Sequence, residues 1–531
     1  MTDRSSAVVK GDMNMDERHL VAVDLGTSKI ALTVAKVEGD NTQILFYRGI
    51  PSDGIRYSYV SNPMRASLPV KKLLEAASSE LGIEITQVVV GMPKYEVKQE
   101  TASLKVPRSE TECISREEVE NMRNCAADSY PLNDPEYEAL FGSVAQSYST
   151  NDEFQLVEED IIGMASSQVE GNFKLFIGRK SALTNIERTF KNAGVCIARK
   201  YFTPDSTARA VLHSSEMENG VALIDLGAGA TSVSVYYGGI MRHYASIPFG
   251  GRAITHDIQS EASISERLAE NIKLAFGACM PDKLLSMSEK TIQIDSGGAA
   301  PAKHLNVKYL SEIITAREEE IVEAMLYEIE CSGFADNLKS GIVITGGGAA
   351  MANIANLIKE MSGYNVRTGY PIRFFASDGC EGCNDTGAAT SIGMILTAKN
   401  EKGLNCTAPA EAGTMDDETG KDATIQELGI GETSKTDAIG SDTDVSPKKD
   451  ISGTLGVNAE GKGTSGTLEG FEISEEERRK AEKEQKHRKK EKKDRSIGTW
   501  FKQMGNSFTE VTGNLYKAVS DEITRQNEEE V

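Results

Sequence analysis

The chain has 531 residues, of which 39% are hydrophobic and 26% charged, with a formal net charge of −22. That length fits roughly two to four domains, and the apolar share suffices for a packed core in part of the chain. The acidic balance argues against general nucleic-acid binding, because a phosphate backbone would repel it. Eight Cys are scattered, with no signal-peptide pattern, so the chain reads as a reduced, cytosolic protein and not a disulfide framework. No run approaches the ~18–20 apolar residues of a membrane span, so any membrane contact is expected to be peripheral.

Residues 1–19 are polar. The stretch VAVDLGTSKIALTV (21–34) follows as a strand, a turn through Gly26, Thr27 and Ser28, and a second strand. Another apolar strand is expected at 87–92. Ser115 with Glu118 forms a capping-box pattern opening a helix over 115–128. Leu183, Ile186 and Phe190 make a helical stripe that Gly194 closes. VALIDLGAGATSVSVYYGGI (221–240) repeats the strand–turn–strand design. Leu310, Ile313, Ile314, Ile321, Met325 and Ile329 predict a long helix ending at Gly333. GIVITGGG (341–348) predicts a strand running into a glycine turn, then a helix with Ala350, Ile354, Leu357 and Ile358 inward. Strands alternating with helices indicate an α/β architecture. Cys380 and Cys383 lack the second ligand pair that a zinc site needs, so they read as loop thiols.

Residues 401–470 hold 14 acidic and 6 basic residues, 12 Gly and no aromatic residue. Such a segment buries too little apolar surface to offset its chain entropy and is expected to be a disordered linker. Residues 478–495 then carry 11 Lys or Arg against 4 acids. In the tail, Ile497, Phe501, Met504, Phe508, Val511, Leu515, Val519 and Ile523 follow three-and-four spacing, with Trp500, the only Trp, beside them.

Three turns carry the chemistry. In the first, Gly26 lets backbone N–H groups approach a phosphate, and the hydroxyls of Thr27 and Ser28 add donors. Asp24 stands where it can hold a hydrated Mg²⁺, and Lys29 can face a phosphate. In the second, Asp225, Gly227, Ala228, Gly229, Ala230 and Thr231 repeat that pattern about 200 residues later. Two such hairpins suggest a duplicated fold gripping one ligand between its halves. In the third, Gly346, Gly347 and Gly348 at a strand end allow a flat base or ribose to lie on backbone. The spacing is neither that of a P-loop nor that of a dinucleotide fingerprint.

The order of these turns resembles the actin/Hsp70/sugar-kinase ATPase superfamily, and within it the bacterial cell-division protein FtsA family, over about 20–398. Pro204-Asp205-Ser206-Thr207-Ala208 resembles the connecting helix. Ala269-Glu270-Asn271-Ile272-Lys273 resembles the nucleotide-contacting A-E-x-I-K helix, and Gly387-Ala388-Ala389 the closing helix. The resemblance implies an actin-like ATPase fold with two related RNase H-like halves and an FtsA-type 1C subdomain. The expected partition is a disordered N-terminus at 1–19 and 1A at 20–86 and 181–215. It continues with 1C at 87–180, 2A at 216–251, 2B at 252–325 and a closing 2A/1A part at 326–398. An acidic linker at 399–477, the basic segment at 478–495 and an amphipathic helix at 496–525 complete it.

The resemblance further implies ATP with Mg²⁺ as cofactors. Asp24 and Asp225 would hold the metal through water, and Gly250, Gly251, Glu270, Lys273 and Met351 would join the three turns around the nucleotide. The implied partners are the FtsZ C-terminal tail on 2B, further copies in filaments, anionic lipids and further division proteins, at the cytoplasmic face of the cell membrane at the division site. The family's second loop reads D-[IL]-G-G-G-T-T-D. Here Ala230 lacks a hydroxyl and Ser232 a carboxylate, so ATP binding is expected and turnover is left open, at most weak. A superfamily kinase, or a pilus-assembly-type adaptor whose tail pairs with a protein, is the alternative. With the resemblance, the tail reads as an interfacial membrane helix carried by Ile497, Trp500, Phe501, Met504, Phe508, Val511 and Leu515. The basic run beside it is drawn to anionic lipid.

Overall fold

A computed structural model of the chain describes residues 17–407, apart from 110–111, 152, 154, 295–302, 378 and 402. The expected linker from 408 onward, the basic segment and every predicted membrane residue from Ile497 to Leu515 lie outside the described residues.

Two five-stranded sheets share one plan. The first runs in the order Cys196–Tyr201, Gln87–Gly91, Glu17–Leu25, Lys29–Glu38, Asn41–Pro51. The second runs Val366–Thr368, Ile342–Thr345, Val221–Leu226, Thr231–Tyr237, Ile240–Ile247. In each, an antiparallel three-strand meander is extended by two strands parallel to its first member. Leu20, Val21, Ala22 and Val23 are all fully buried, because helices cover both faces. This is why the first strand reads as an unbroken apolar run and not as an alternation.

The side-chain alternation defines the layers. Val21 and Val23 face an outer core with Leu73 and Phe190, under the helices Pro63–Leu81 and Lys180–Ala193. Leu20 and Ala22 face a central core that also takes Val221, Leu223 and Val343 of the second sheet. The second sheet turns Ala222 and Ile224 to its own outer core with Ile254, Leu310 and Ile314. Each buried Leu, Ile or Val contributes about 1.5–3 kcal/mol.

Between the sheets lie the helices Thr203–Val211 and Ala389–Ala398. They cross so closely that a Cβ on Gly393 would lie 1.9 Å from the Ser206 carbonyl oxygen. Thr207 Oγ1 meets Thr390 Oγ1 at 3.1 Å beside that crossing.

A third unit is inserted after the Gln87–Gly91 strand. Its antiparallel sheet runs Lys98–Pro107, Gln168–Arg179, Glu138–Ser149. It has a separate core around Val119, Met122, Val169 and Phe173. The helix Arg116–Asp128 starts as read from sequence, with Ser115 accepting from Glu118 N. The Glu118 carboxylate goes to Arg108, however, so only half of the expected box forms.

Three expected boundaries move. Glu17, Arg18 and His19 belong to the first strand, so the order starts before residue 20. Gln87–Gly91 lies in the first sheet and Lys180 opens the next helix, so the inserted sheet spans 98–179 and not 87–180. Residues past 398 stay packed on the first strand. Cys406 N donates to His19 O at 2.7 Å, and Arg18 donates to Lys399 O at 2.8 Å. No helix among the described residues is long and apolar enough to cross a membrane.

The crossing at Gly393 yields a stability prediction. Gly393→Val places side-chain atoms on backbone that cannot retreat, so urea unfolding should show a loss of about 3 kcal/mol. Wild-type stability in that variant would contradict the close crossing.

Candidate functional site

The shared plan sets two hairpin turns against each other. Asp24 and Asp225 are each the second-last residue of the first strand of their sheet, opposite Ala31 and Ser232. Gly26 and Gly227 play the same part in the two turns. A Cβ there would lie 2.6 Å from Lys29 O and 2.4 Å from Ala230 O, respectively. The turns touch: a Cβ on Gly229 would lie 2.5 Å from Thr27 Oγ1.

Beside them opens a cleft of about 370 Å³, the size of a small-molecule site. Asp24, Gly26, Thr27, Ser28 and Lys29 line it from the first turn, and Asp225, Gly227, Ala228, Gly229 and Ala230 from the second. Gly251, Glu270, Lys273, Gly346, Gly347, Gly348 and Met351 complete the predicted set. Gly346 has φ 85°, and a Cβ on it would lie 2.3 Å from Asp225 Oδ1, so only glycine fits. A Cβ on Gly347 would meet nothing within 4 Å, so that residue offers bare backbone to the cleft. The segment after it departs from expectation. Gly347–Ala350 is a 3-10 turn and the helix begins at Ile354; Ala349 is buried, and Ala350 is exposed and lines the cleft.

Two predicted residues are not in the lining. Thr231 is fully buried at the head of its strand, and its hydroxyl has no hydrogen-bond partner among the described residues. Gly250 backs the second turn, where a Cβ would lie 2.2 Å from Gly227 O. The next two amides donate to that turn, Gly251 N to Gly227 O at 3.0 Å and Arg252 N to Ala228 O at 2.8 Å.

Two lysines line the cleft near the carboxylates. Lys29 donates to Tyr47 Oη at 3.0 Å. Lys94, which the sequence reading passed over, stands 2.5 Å from Asp225 Oδ2. Its signal is topological: it follows Gln87–Gly91, a strand parallel to the Asp24 strand, and ligands gather at the carboxyl ends of such strands. Burial pushes the Asp24 carboxyl up to about 6. Lys94 opposes that shift, Asp225 adds to it and Lys29 opposes it.

On the helical side, Lys273 donates to Gly251 O at 2.7 Å and Thr255 Oγ1 at 2.7 Å, and meets Glu270 Oε2 at 2.8 Å. These contacts use all three donors of an ammonium group. Glu318 also lines the cleft and was missed. It is 3% exposed and its Oε2 has no hydrogen-bond partner among the described residues. Burial pushes its carboxyl up to about 7, against the pull of Lys273. Position 318 continues the buried stripe of Leu310, Ile314, Ile321 and Met325 at helical spacing. An acid in an apolar stripe is a signal that periodicity could have raised.

Two halves of one plan closing on a cleft between their first hairpins define an actin-like ATPase fold. A solved PilM–PilN type IV pilus biogenesis complex shares this fold with a TM-score of 0.52 and 16% identity, covering 72% of this chain and 99% of that one. The family model of cell division protein FtsA matches residues 222–393. The FtsA of Borreliella burgdorferi is 30% identical over 393 residues, 74% of this chain and 93% of its own length. That of Neisseria meningitidis is 27% identical over 363 residues, 68% and 85% respectively. The chain belongs to the FtsA family of cell-division proteins.

Glu318 gives a pH prediction. Its folded pKa lies above the ordinary 4.5, so the folded state holds the proton more tightly than the unfolded chain. Its contribution is full below about pH 4.5 and is lost as pH rises through about 7. Glu318→Gln should therefore gain stability relative to wild type over that window, on the order of 3 kcal/mol. Urea unfolding at pH 5 and pH 8 checks this; a pH-independent difference would contradict it.

Proposed function

We propose that this chain binds ATP with Mg²⁺ in the cleft, assembles into actin-like filaments at the cytoplasmic face of the membrane, and tethers the FtsZ ring there. The observation that carries the reading is the pair of glycine turns with Asp24 and Asp225, facing one cleft from two halves of the same plan. The residues fit the ligand. The turns offer backbone donors to phosphates, Asp24 and Asp225 are hard oxygen ligands suited to a hydrated Mg²⁺, and Gly347 leaves room for a flat group. Bound Mg²⁺ would neutralise phosphate charge. Lys94 would meet that cluster from the side of Asp225. The helical side, with Glu270, Lys273 and Met351, is left for the nucleoside.

Family membership supports action in division. Attachment rests on the sequence pattern of Trp500, Phe501, Met504 and Phe508 beside the basic run. Gly498, Gly505 and Gly513 in the tail each cost a helix about 1 kcal/mol, so one tail binds weakly. A filament presents many tails, and avidity makes attachment firm. The FtsZ tail is assigned to the region 252–325.

Co-sedimentation of the full-length protein with anionic vesicles tests the reading. With Mg·ATP the wild type should pellet with lipid, and Trp500→Ala/Phe501→Ala and a truncation before Ser496 should remain in the supernatant. Equal pelleting of all three would contradict the tail as anchor. Lipid binding unchanged by ATP would contradict the coupling of assembly to attachment.

A further inference from the structure

Lys94 joins three parts of the molecule at one point. Its ammonium stands 2.5 Å from Asp225 Oδ2, and both side chains are largely buried. It lies between the Gln87–Gly91 strand of the first sheet and the Lys98–Pro107 strand of the inserted unit. Its carbonyl accepts from Tyr244 Oη, on the Ile240–Ile247 strand of the second sheet. Its amide donates to Ser58 Oγ at 3.4 Å, and Ser58 also lines the cleft. The ring of Tyr95 packs against Tyr57 and Tyr59, with centroids 6.4 and 6.3 Å apart. The backbone on both sides of the lysine is thus gripped.

The inserted unit bridges the two halves. Its chain enters and leaves through the first half, where Arg179 at the exit donates to Glu96 at the entry at 3.0 Å. Its strands are bonded to the second half. Gln99 Oε1 accepts from Tyr244 N at 2.9 Å, and Gln146 donates to Met241 O at 2.9 Å. Phe176 of the unit meets the Tyr244 ring edge-on at 6.1 Å. It also stacks at 4.5 Å on Phe202, at the head of the helix Thr203–Val211. Tyr244 therefore receives the unit on its amide and ring, and holds Lys94 by its hydroxyl. Neither Tyr244 nor Gln99 lines the cleft.

We propose that the inserted unit sets the nucleotide affinity of the cleft through Lys94, with Tyr244 and Gln99 as positioning residues. The inference rests on the nucleotide reading of the cleft. Asp225 is suited to a hydrated Mg²⁺, and a metal ion beside it repels the ammonium that the carboxylate holds. A phosphate oxygen is a charge-assisted acceptor for that same ammonium. The lysine stem is flexible, so it can exchange one partner for the other. Holding its backbone at the cleft edge spares the binding step the entropy of ordering it. Tyr244 supplies that hold, and Gln99 keeps Tyr244 in line from the inserted unit. Whatever shifts the unit changes nucleotide affinity, and by linkage the nucleotide biases the unit by the same free energy.

The test is a double-mutant cycle on the full-length protein, read as the affinity for a ribose-labelled fluorescent ATP analogue with Mg²⁺. Tyr244→Phe keeps the ring and removes the bond to Lys94. It should weaken binding at least about fivefold. Gln99→Ala should weaken binding at least about threefold. In a Lys94→Met background, either change should alter the affinity by less than about twofold. Lys94→Gln serves as the background if Lys94→Met melts early in thermal unfolding. Wild-type or tighter binding in either single variant would overturn the coupling while leaving nucleotide binding intact. Equal losses with and without the lysine would do the same. Failure of the wild type to bind the analogue would overturn both.

Discussion

The close crossing of two helices between the sheets is the constraint on which the site depends. Thr203–Val211 leads from the first sheet toward the second and Ala389–Ala398 returns. Their approach at Gly393 and Ser206 leaves no room for a side chain. A wider crossing would part the hairpins. With the crossing tight, Thr27 lies against Gly229 and the carboxylates of both halves share one cleft. Glycines at these contacts therefore act on packing as much as on any ligand.

The cleft is electrostatically loaded. Asp24 and Asp225 repel one another, and the Lys94–Asp225 contact offsets part of that repulsion. Lys94 lies at the entry to the inserted unit. Its carbonyl accepts from Tyr244 Oη, and Gln99 on the first strand of that unit accepts from Tyr244 N at 2.9 Å. Gln146 and Arg242 tie the same unit to the Ile240–Ile247 strand again, with Arg242 donating to Gln146 O at 2.8 Å. A charge arriving at Asp225 thus meets a lysine whose backbone is bonded to the second sheet and continuous with the inserted unit.

Much of this was legible in the sequence. The two D-L-G turns, the glycine run and the long apolar-striped helix are local patterns, and local patterns survive folding. Seventeen of the nineteen residues expected around the ligand do line the cleft. Thr231 and Gly250 do not, because whether a side chain points to a ligand or to the sheet is set by strand pairing, which a motif does not encode. Lys94 and Glu318 were missed for the converse reason. Each reaches the cleft from an element whose neighbourhood is decided by topology: a parallel strand end for Lys94, a helix bordering the second sheet for Glu318. Boundaries shifted where pairing across long separations decides them. Cys406 binding His19 is a contact between residues nearly four hundred positions apart, and no local composition reports it.

The account stands on one ligand being held by both halves at once. Hydrogen exchange of the full-length protein with and without Mg·ATP tests this most directly. Slowed exchange should appear together at residues 25–29, 226–231 and 346–348. Slowing confined to one of these turns, or absent from all three while ATP is bound, would contradict the two-sided cleft.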